Sequence, residues 1–415
     1  MPLTSFYSAL TGLSSNAQSI SVIGNNLANM NTTAFKTSRT SFAELMGALG
    51  DVGTNGNPIQ VGLGSTIAGI TPVLTQGSIA YTGRSGDAAI NGAGFFVVET
   101  PGGGQGFTRA GNFSFTNIGE LINSDGFRIL GYGATGGVID TSGALTPIVI
   151  SGSASLAPKP TTDIGINANL DSQTATGDKF STGVQFYDSL GGSHLVTLTF
   201  TKTATGWDWA ATLPAVDTGG AATAPPTSVG TGSISFDDKG VLVPPATAPT
   251  LTISGLADGA ADMTVNFDLF DDKGLPRLTG FAATSAVSGT SQNGYSSGQL
   301  RGFSIDSKGI ITGVFDNGVS QPLAQLALAN FANVEGLQKY KGNTMVAVGS
   351  SGEPSIGVAS TGGRGTISGS SLEASNVDIA TEFTNLIVAQ RGYQANSRVI
   401  TTTDQLYQDA INLKQ

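Results

Sequence analysis

The residues best equipped for chemistry are paired carboxylates and one imidazole. Asp237 adjoins Asp238, Asp271 adjoins Asp272, and His194 is the single histidine among 415 residues. Two carboxylates set apart across a bond can divide acid and base roles. Adjacent carboxylates inside a turn receive no such roles from sequence. Both pairs open an Asp-x-x-Gly stretch flanked by strand residues, "SISFDDKGVL" (Ser233–Leu242) and "LFDDKGLPRL" (Leu269–Leu278). "FSIDSKGIITGVFDNGV" (Phe303–Val319) has the same layout. The Asp can accept backbone amides and the Gly can take φ > 0, so hairpin turns are expected. Calcium binding would need tandem ligand loops ending in Glu, or Gly-Gly-x-Gly-x-Asp repeats, and the chain has neither.

His194 lies in "YDSLGGSHLVTLTF" (Tyr187–Phe200), which reads with the following "WDWAATL" as a hairpin. No cysteine or second histidine can complete a zinc site, so a structural role is expected. "GAGFFVV" and "PGGGQG" lack the Lys-Ser/Thr of a phosphate loop, and no Gly-x-Gly-x-x-Gly opens a helix. No Gly-x-Ser-x-Gly elbow is present either. The expectation is a chain that is not an enzyme and uses no cofactor or metal.

The length exceeds one ordinary core, so about two to four domains are expected. The net charge is −10 with only 12% charged residues, and no basic patch suggests nucleic acid. Glycine, 59 residues, is roughly twice its usual share, which favours turns and hairpins mid-chain. The absence of cysteine removes disulfides and thiol chemistry. No Lys or Arg precedes Lys36 and no long apolar run is present, so a cleaved Sec leader and membrane insertion are not expected.

The two ends carry helical periods. Phe6, Leu10, Leu13, Ala17, Ile20, Gly24 and Leu27 alternate four and three apart, an a/d seam over three heptads. Thr4 or Ser5 can cap the start, and Asn29 to Thr33 reads as a stop. At the far end Leu372, Ile379, Leu386, Tyr393, Ile400 and Tyr407 lie seven apart, with Phe383 and Ile411 on a companion row and Val399, Leu406 and Leu413 widening the stripe. Ser375 with Asp378 suggests a capping box ahead of a helix from Val377. The first helix is rich in Ser, Thr, Asn and Gly, which disfavours it by roughly 7–10 kcal/mol against alanine. Burying its large seam residues returns on the order of 8–15 kcal/mol, so it should be helical only with partners. It has no charged side chain at all, and its outer face, Ser15 and Asn25 included, is expected to meet other copies or a confined channel.

The middle reads as β. Phe95–Glu99 ("FFVVE") is a strand, and Phe107–Phe115 with Leu121–Leu130 form a hairpin pattern about Asn117-Ile118-Gly119. Ala215–Thr227 and Pro244–Thr250 look like loops.

Four stretches carry a family resemblance. "SALTGLSSNAQSISVIGNNLANMNTTAFK" and "SNVDIATEFTNLIVAQRGYQANSRVITTTDQLYQDAINL" resemble the N- and C-terminal signatures of the flagellar rod and hook axial proteins. "GFTRAGNFSFTNIGELINSDGFRILGY" and "LRGFSIDSKGIITGVFDNGVSQPLAQLALANFANVEGL" resemble that family's first β domain. The block 161–288, with "DIGINANLDS", "VQFYDSLGGSHLVTLTF" and "ISFDDKG", resembles the outer domain of its hook branch and is missing from the shorter distal rod proteins.

The resemblance implies a multidomain fold: a terminal α-helical coiled-coil pair plus mainly-β domains formed by a chain that runs out and back. Residues 1–30 with 376–415 would form the inner helical layer, and 31–75 with 355–375 a linker. Residues 76–157 with 290–354 would form the first β domain, and 158–289 the outer one. Copies would build a helical homopolymer, a flexible curved tube that transmits motor torque and encloses an export channel. The implied partners are the distal rod protein, a hook cap protein, a hook–filament junction protein and the flagellar type III export apparatus. The implied location is the extracellular flagellum. The rival readings are a distal rod protein and, from another class, a secreted adhesin or surface protein.

Overall fold

The computed structural model describes residues 2–45, 49–52, 58–60, 62–151 and 155–412. Leu413, expected on the C-terminal stripe, lies outside them. The chain divides into two compact units, Met1–Gly152 with Phe303–Gly313 and Gln321–Gln415, and Ser153–Gly302 with Val314–Ser320.

In the first unit, helix α1 (Pro2–Ala28) packs on helix α2 (Ile379–Asn412). α1 begins ahead of the expected cap at Thr4 or Ser5. At α2 the cap also differs from expectation. Asp378, not Ser375, holds the cap position, and its Oδ1 accepts the amides of Ala380 (2.8 Å) and Thr381 (3.1 Å). The helix starts at Ile379, so the carboxylate meets both the orphan amides and the positive end of the helix dipole. Strands β1 (Ser38–Glu44) and β2 (Ser65–Pro72) form an antiparallel ladder beside α1, from Ser38 opposite Pro72 to Glu44 opposite Ser65.

Both passes of the chain build the main sheet of this unit. Its antiparallel order is Ser320–Asn330, Arg128–Thr135, Phe95–Glu99, Gln105–Thr108, Thr344–Val346 and Gln338–Lys341. Tyr132 thus pairs with Gln325, and Thr108 with Thr344. Phe95, Val97, Phe107, Tyr132, Ala329 and Phe331 fill one core beneath it. Two short ladders also join the passes, Ala88–Asn91 with Thr366–Gly369 and Ile79–Tyr81 with Ser371–Glu373. The hairpin about Asn117-Ile118-Gly119 forms, with Ser114–Phe115 against Leu121–Ile122.

The described residues of the second unit are built mainly on two sheets. One is an antiparallel meander of Lys179–Tyr187, Ser193–Lys202, Trp207–Leu213, Thr227–Phe236 and Leu242–Val243. The other is centred on Asp163–Asn169, which pairs in parallel with Met263–Asp268 and Leu278–Thr279 and antiparallel with Ala286–Gln292. Alternate residues of both sheets, among them Ile166, Leu198, Phe200, Trp209 and Phe267, share one core.

The Asp-x-x-Gly stretches are turns of a single design. Asn123, Asp188, Asp237, Asp271 and Asp306 each use Oδ1 to accept the amides two and four residues on, at 2.7–3.0 Å. The glycine three residues on has φ between +73° and +87° in every copy, a conformation that β-carbon sterics make costly for other residues.

Candidate functional site

The paired terminal helices meet on a heptad, but not on the expected one. The inward stripe of α1 is Ala9, Gly12, Asn16, Ser19, Ile23 and Asn26, alternating three and four apart, with Ser15 buried beside it. It lies one residue before the apolar row read from the sequence, a rotation of about 100° around the helix. On α2 the inward row is Glu382, Ala389, Asn396 and Thr403, seven apart, flanked by the half-buried Leu386, Ile400 and Tyr407. Small residues win these positions because the helices approach closely. A β-carbon on Gly12 would lie 2.8 Å from Asn396 Nδ2, and one on Gly392 would lie 2.8 Å from Asn16 Oδ1. Large side chains at such positions would force the axes apart.

The expected seam residues therefore sit on the flanks. Phe6, Leu13, Ile20, Leu27, Leu386, Ile400 and Tyr407 are half-buried, while Leu10, Ala17, Ile379, Phe383, Tyr393 and Ile411 are exposed. Ser15, expected to face outward, is buried instead and donates to the Ser65 carbonyl at 3.1 Å. Its neighbour Thr11 accepts the Ser65 amide at 3.3 Å, and Ser19 pairs with Thr40 at 3.3 Å. The uncharged polar face of α1 is thus used first by its own hairpin. Gly64, at φ +106°, lets β2 close on the helix, where a β-carbon would run into Thr11.

Asn26 locks three elements. Its side chain is almost fully buried. Its Nδ2 donates to the Ser38 carbonyl (2.9 Å) and to Glu382 Oε2 (3.3 Å), and its Oδ1 accepts the Ser38 amide (2.9 Å). One amide side chain so ties α1 to β1 and to α2.

Below the helices, three charged residues from distant parts of the chain converge. Lys36 Nζ lies 2.5 Å from Glu373 Oε1 and donates to the Thr75 carbonyl at 2.7 Å. Arg109 lies 3.6 Å from Glu373 Oε2 and donates to the Gly92 carbonyl at 2.7 Å. The Gly77 amide donates to Glu373 Oε1 at 2.9 Å. The Glu373 side chain is wholly buried. Burial pulls the Lys36 ammonium and the Arg109 guanidinium below their ordinary pKa values, against the opposing pull of Glu373. Sequence reasoning missed this triad and Asn26. The one signal was that Lys36 ends a long stretch with no charged side chain.

Among the polar residues that the pair leaves uncovered are several large apolar ones. Tyr7 and Leu10 on α1, and Phe383, Ile387, Val388 and Leu406 on α2, are exposed, Val388 at 66%.

Four family models match stretches of the chain. "Flagella basal body rod protein" covers residues 6–36, and "Flagellar hook protein FlgE/F/G D1 domain" covers 89–174. "Flagellar basal body protein FlaE D2 domain" covers 155–295, and "Flagellar basal body rod FlgEFG protein C-terminal" covers 368–413. These define the class, an axial subunit of the bacterial flagellar rod and hook. Relatives narrow it. The flagellar hook protein FlgE of Treponema pallidum is 34% identical over the whole of both chains. Those of Salmonella typhimurium and Escherichia coli are 35% and 33% identical, each over 99% of this chain and all of the relative. The chain belongs to the flagellar hook protein FlgE family, and it is a structural subunit of the hook, not an enzyme. The crystal structure of Helicobacter pylori flagellar hook protein FlgE2 has the same mainly-β fold, with a TM-score of 0.52 at 16% identity over 69% of this chain and 98% of that one.

Proposed function

We propose that copies of this chain polymerise by laying the apolar flanks of α1 and α2 against neighbouring copies, forming the inner wall of a flexible curved tube. The observation that carries this reading is the exposed apolar surface on two helices already paired with each other. Covering one such Leu, Phe or Val is worth about 1.5–3 kcal/mol, so a few per subunit suffice to hold a neighbour. The rows from Phe6 to Leu27 and from Ile379 to Ile411 then act between copies, while the small-residue seam closes each coiled-coil pair. Residues 1–30 with 376–415 are the inner layer, and 31–75 with 355–375 link it to the β domain of 76–157 and 290–354. Residues 158–289 are a separate domain.

Such a tube passes motor torque from rod to filament while each protofilament lengthens and shortens once per turn. Small polar contacts exchange partners at low cost, and the Gly-, Ser- and Thr-rich composition supports that sliding. Family membership supports the distal rod protein, the hook cap protein and the hook–filament junction protein as partners, with passage through the type III export apparatus to the extracellular flagellum.

The test is Phe383→Asp and Val388→Asp. Both side chains are exposed, so the single chain should keep its circular dichroism, while electron microscopy should find no tubes and cells should lack hooks. Tubes and hooks of normal form from both variants would overturn the proposal.

A further inference from the structure

In the second unit, His194 has company that its sequence neighbourhood did not announce. Its ring stacks on Phe186, with centroids 5.2 Å apart, and carboxylates stand at both nitrogens. Nε2 lies 2.8 Å from Asp188 Oδ2 and 3.7 Å from Asp258 Oδ2, and Nδ1 lies 3.4 Å from Asp217 Oδ2. The His194 side chain is 10% exposed and that of Asp188 is wholly buried.

Each of these groups is held by a second contact. Asp188 Oδ1 accepts the amides of Leu190 (2.7 Å) and Gly192 (2.9 Å), which leaves Oδ2 aimed at the ring. Asp258 Oδ1 accepts the Ala260 amide (3.0 Å), which leaves its Oδ2 for the same nitrogen. Asp217 fixes the ring from the other side.

A single proton on Nε2 serves Asp188 alone, because 3.7 Å to Asp258 is beyond hydrogen-bond reach. One imidazolium also leaves three carboxylates undercompensated. A divalent cation bound to Nε2 and both Oδ2 atoms serves the two carboxylates together and leaves Nδ1–H for Asp217. Ligand atoms about 2.0–2.1 Å from a shared tetrahedral ion stand about 3.3 Å apart, and the two separations from Nε2 bracket that value. Metal-bound histidines almost always donate their other N–H to a carboxylate, carbonyl or water, the place Asp217 occupies. One imidazole with two carboxylates suits zinc and its first-row neighbours better than calcium or magnesium, which take oxygen ligands. Asp258, about one-third exposed, offers an entry path and room for a water ligand.

We propose that Asp188, His194 and Asp258 bind one divalent transition cation of the zinc class, with Asp217 positioning the imidazole, and that the ion ties the hairpin carrying Asp188 and His194 to the loop carrying Asp258.

The test uses the full-length chain stripped with a chelator, then titrated with zinc by calorimetry and with cobalt by visible absorption. The expected result is one ion per chain, with affinity at least about 10-fold weaker in His194→Gln and Asp258→Asn. Asp217→Asn, which keeps all three ligands, should lose about 10- to 100-fold. Asp258 lies in an exposed loop, so Asp258→Asn should keep the native near-ultraviolet signal of Trp207 and Trp209 and separates lost binding from lost folding. Zinc should raise the unfolding midpoint of the unmodified chain and not that of His194→Gln. No uptake by the unmodified chain, or uptake unchanged in natively folded Asp258→Asn, would overturn the proposal.

Discussion

Replacing Glu373 by Gln would remove one negative charge from between two buried cations. The side chain is fully enclosed, with Lys36 at 2.5 Å and Arg109 at 3.6 Å. Stranding a buried charge by deleting its partner typically costs about 3–5 kcal/mol. Gln keeps the shape and one oxygen for the Gly77 amide and the Lys36 ammonium, which places the expected loss near the lower end, about 3 kcal/mol. For a unit of this size that corresponds to a fall in melting midpoint of about 6–12 °C. Lys36→Met should cost less, since Glu373 would retain Arg109 and the Gly77 amide. Differential scanning calorimetry of the dilute single chain, with urea unfolding to check that the slope is unchanged, reads both values. A loss below about 1 kcal/mol for Glu373→Gln, or an equal loss for Lys36→Met, would refute the assignment of Glu373 as the centre of the triad.

The helix seam and the histidine site give further expectations. Gly12→Ala should be nearly neutral, because the end of Asn396 can swing aside and alanine favours the helix by about 1 kcal/mol. Gly12→Val should cost about 1–3 kcal/mol through overpacking, and equal unfolding midpoints for the two variants would count against close approach of the helices. At His194, burial alone would lower the pKa, but the bonds to Asp188 and Asp217 outweigh it and hold the group above its ordinary value. A raised folded-state pKa gives stabilisation that is complete below about pH 6.5 and is lost as pH rises through that folded value. With Asp188, Asp217 and Asp258 facing the ring, the metal-free second unit should melt at lower temperature as pH rises from about 6 to 9. His194→Gln should flatten that trend, and zinc should stabilise more as pH rises because protons compete with it. A pH dependence that survives in His194→Gln would exclude the histidine as its source.

The existence and period of both terminal helices were legible in the sequence, but their facing was not. A search for large apolar residues finds Leu10, Leu13 and Ile20, whereas close helix packing selects Ala9, Gly12 and Ser19 one position away. Serine and glycine carry no signal of burial on their own. The Asp-x-x-Gly turns were readable because everything they need lies within five residues. The Lys36–Glu373 contact spans 337 positions, and His194 meets Asp217 and Asp258 from segments far from its own hairpin, so these contacts have no local pattern to detect. The α2 cap was displaced because Ser375 and Asp378 both satisfy capping chemistry, and only the start of the helix decides between them.

The interleaving of early and late strands constrains the order in which a nascent chain matures. Residues 155–302 contain all the strands of their own two sheets and can collapse as soon as they leave the ribosome. The strands at 95–99, 105–108 and 128–135 can pair with one another, but the outer edges of that group stay open until residues 320–346 are made. Closing contacts so far apart is slow, and exposed strand edges invite association in the meantime. The middle of the polypeptide is therefore built to mature first, and its two ends last.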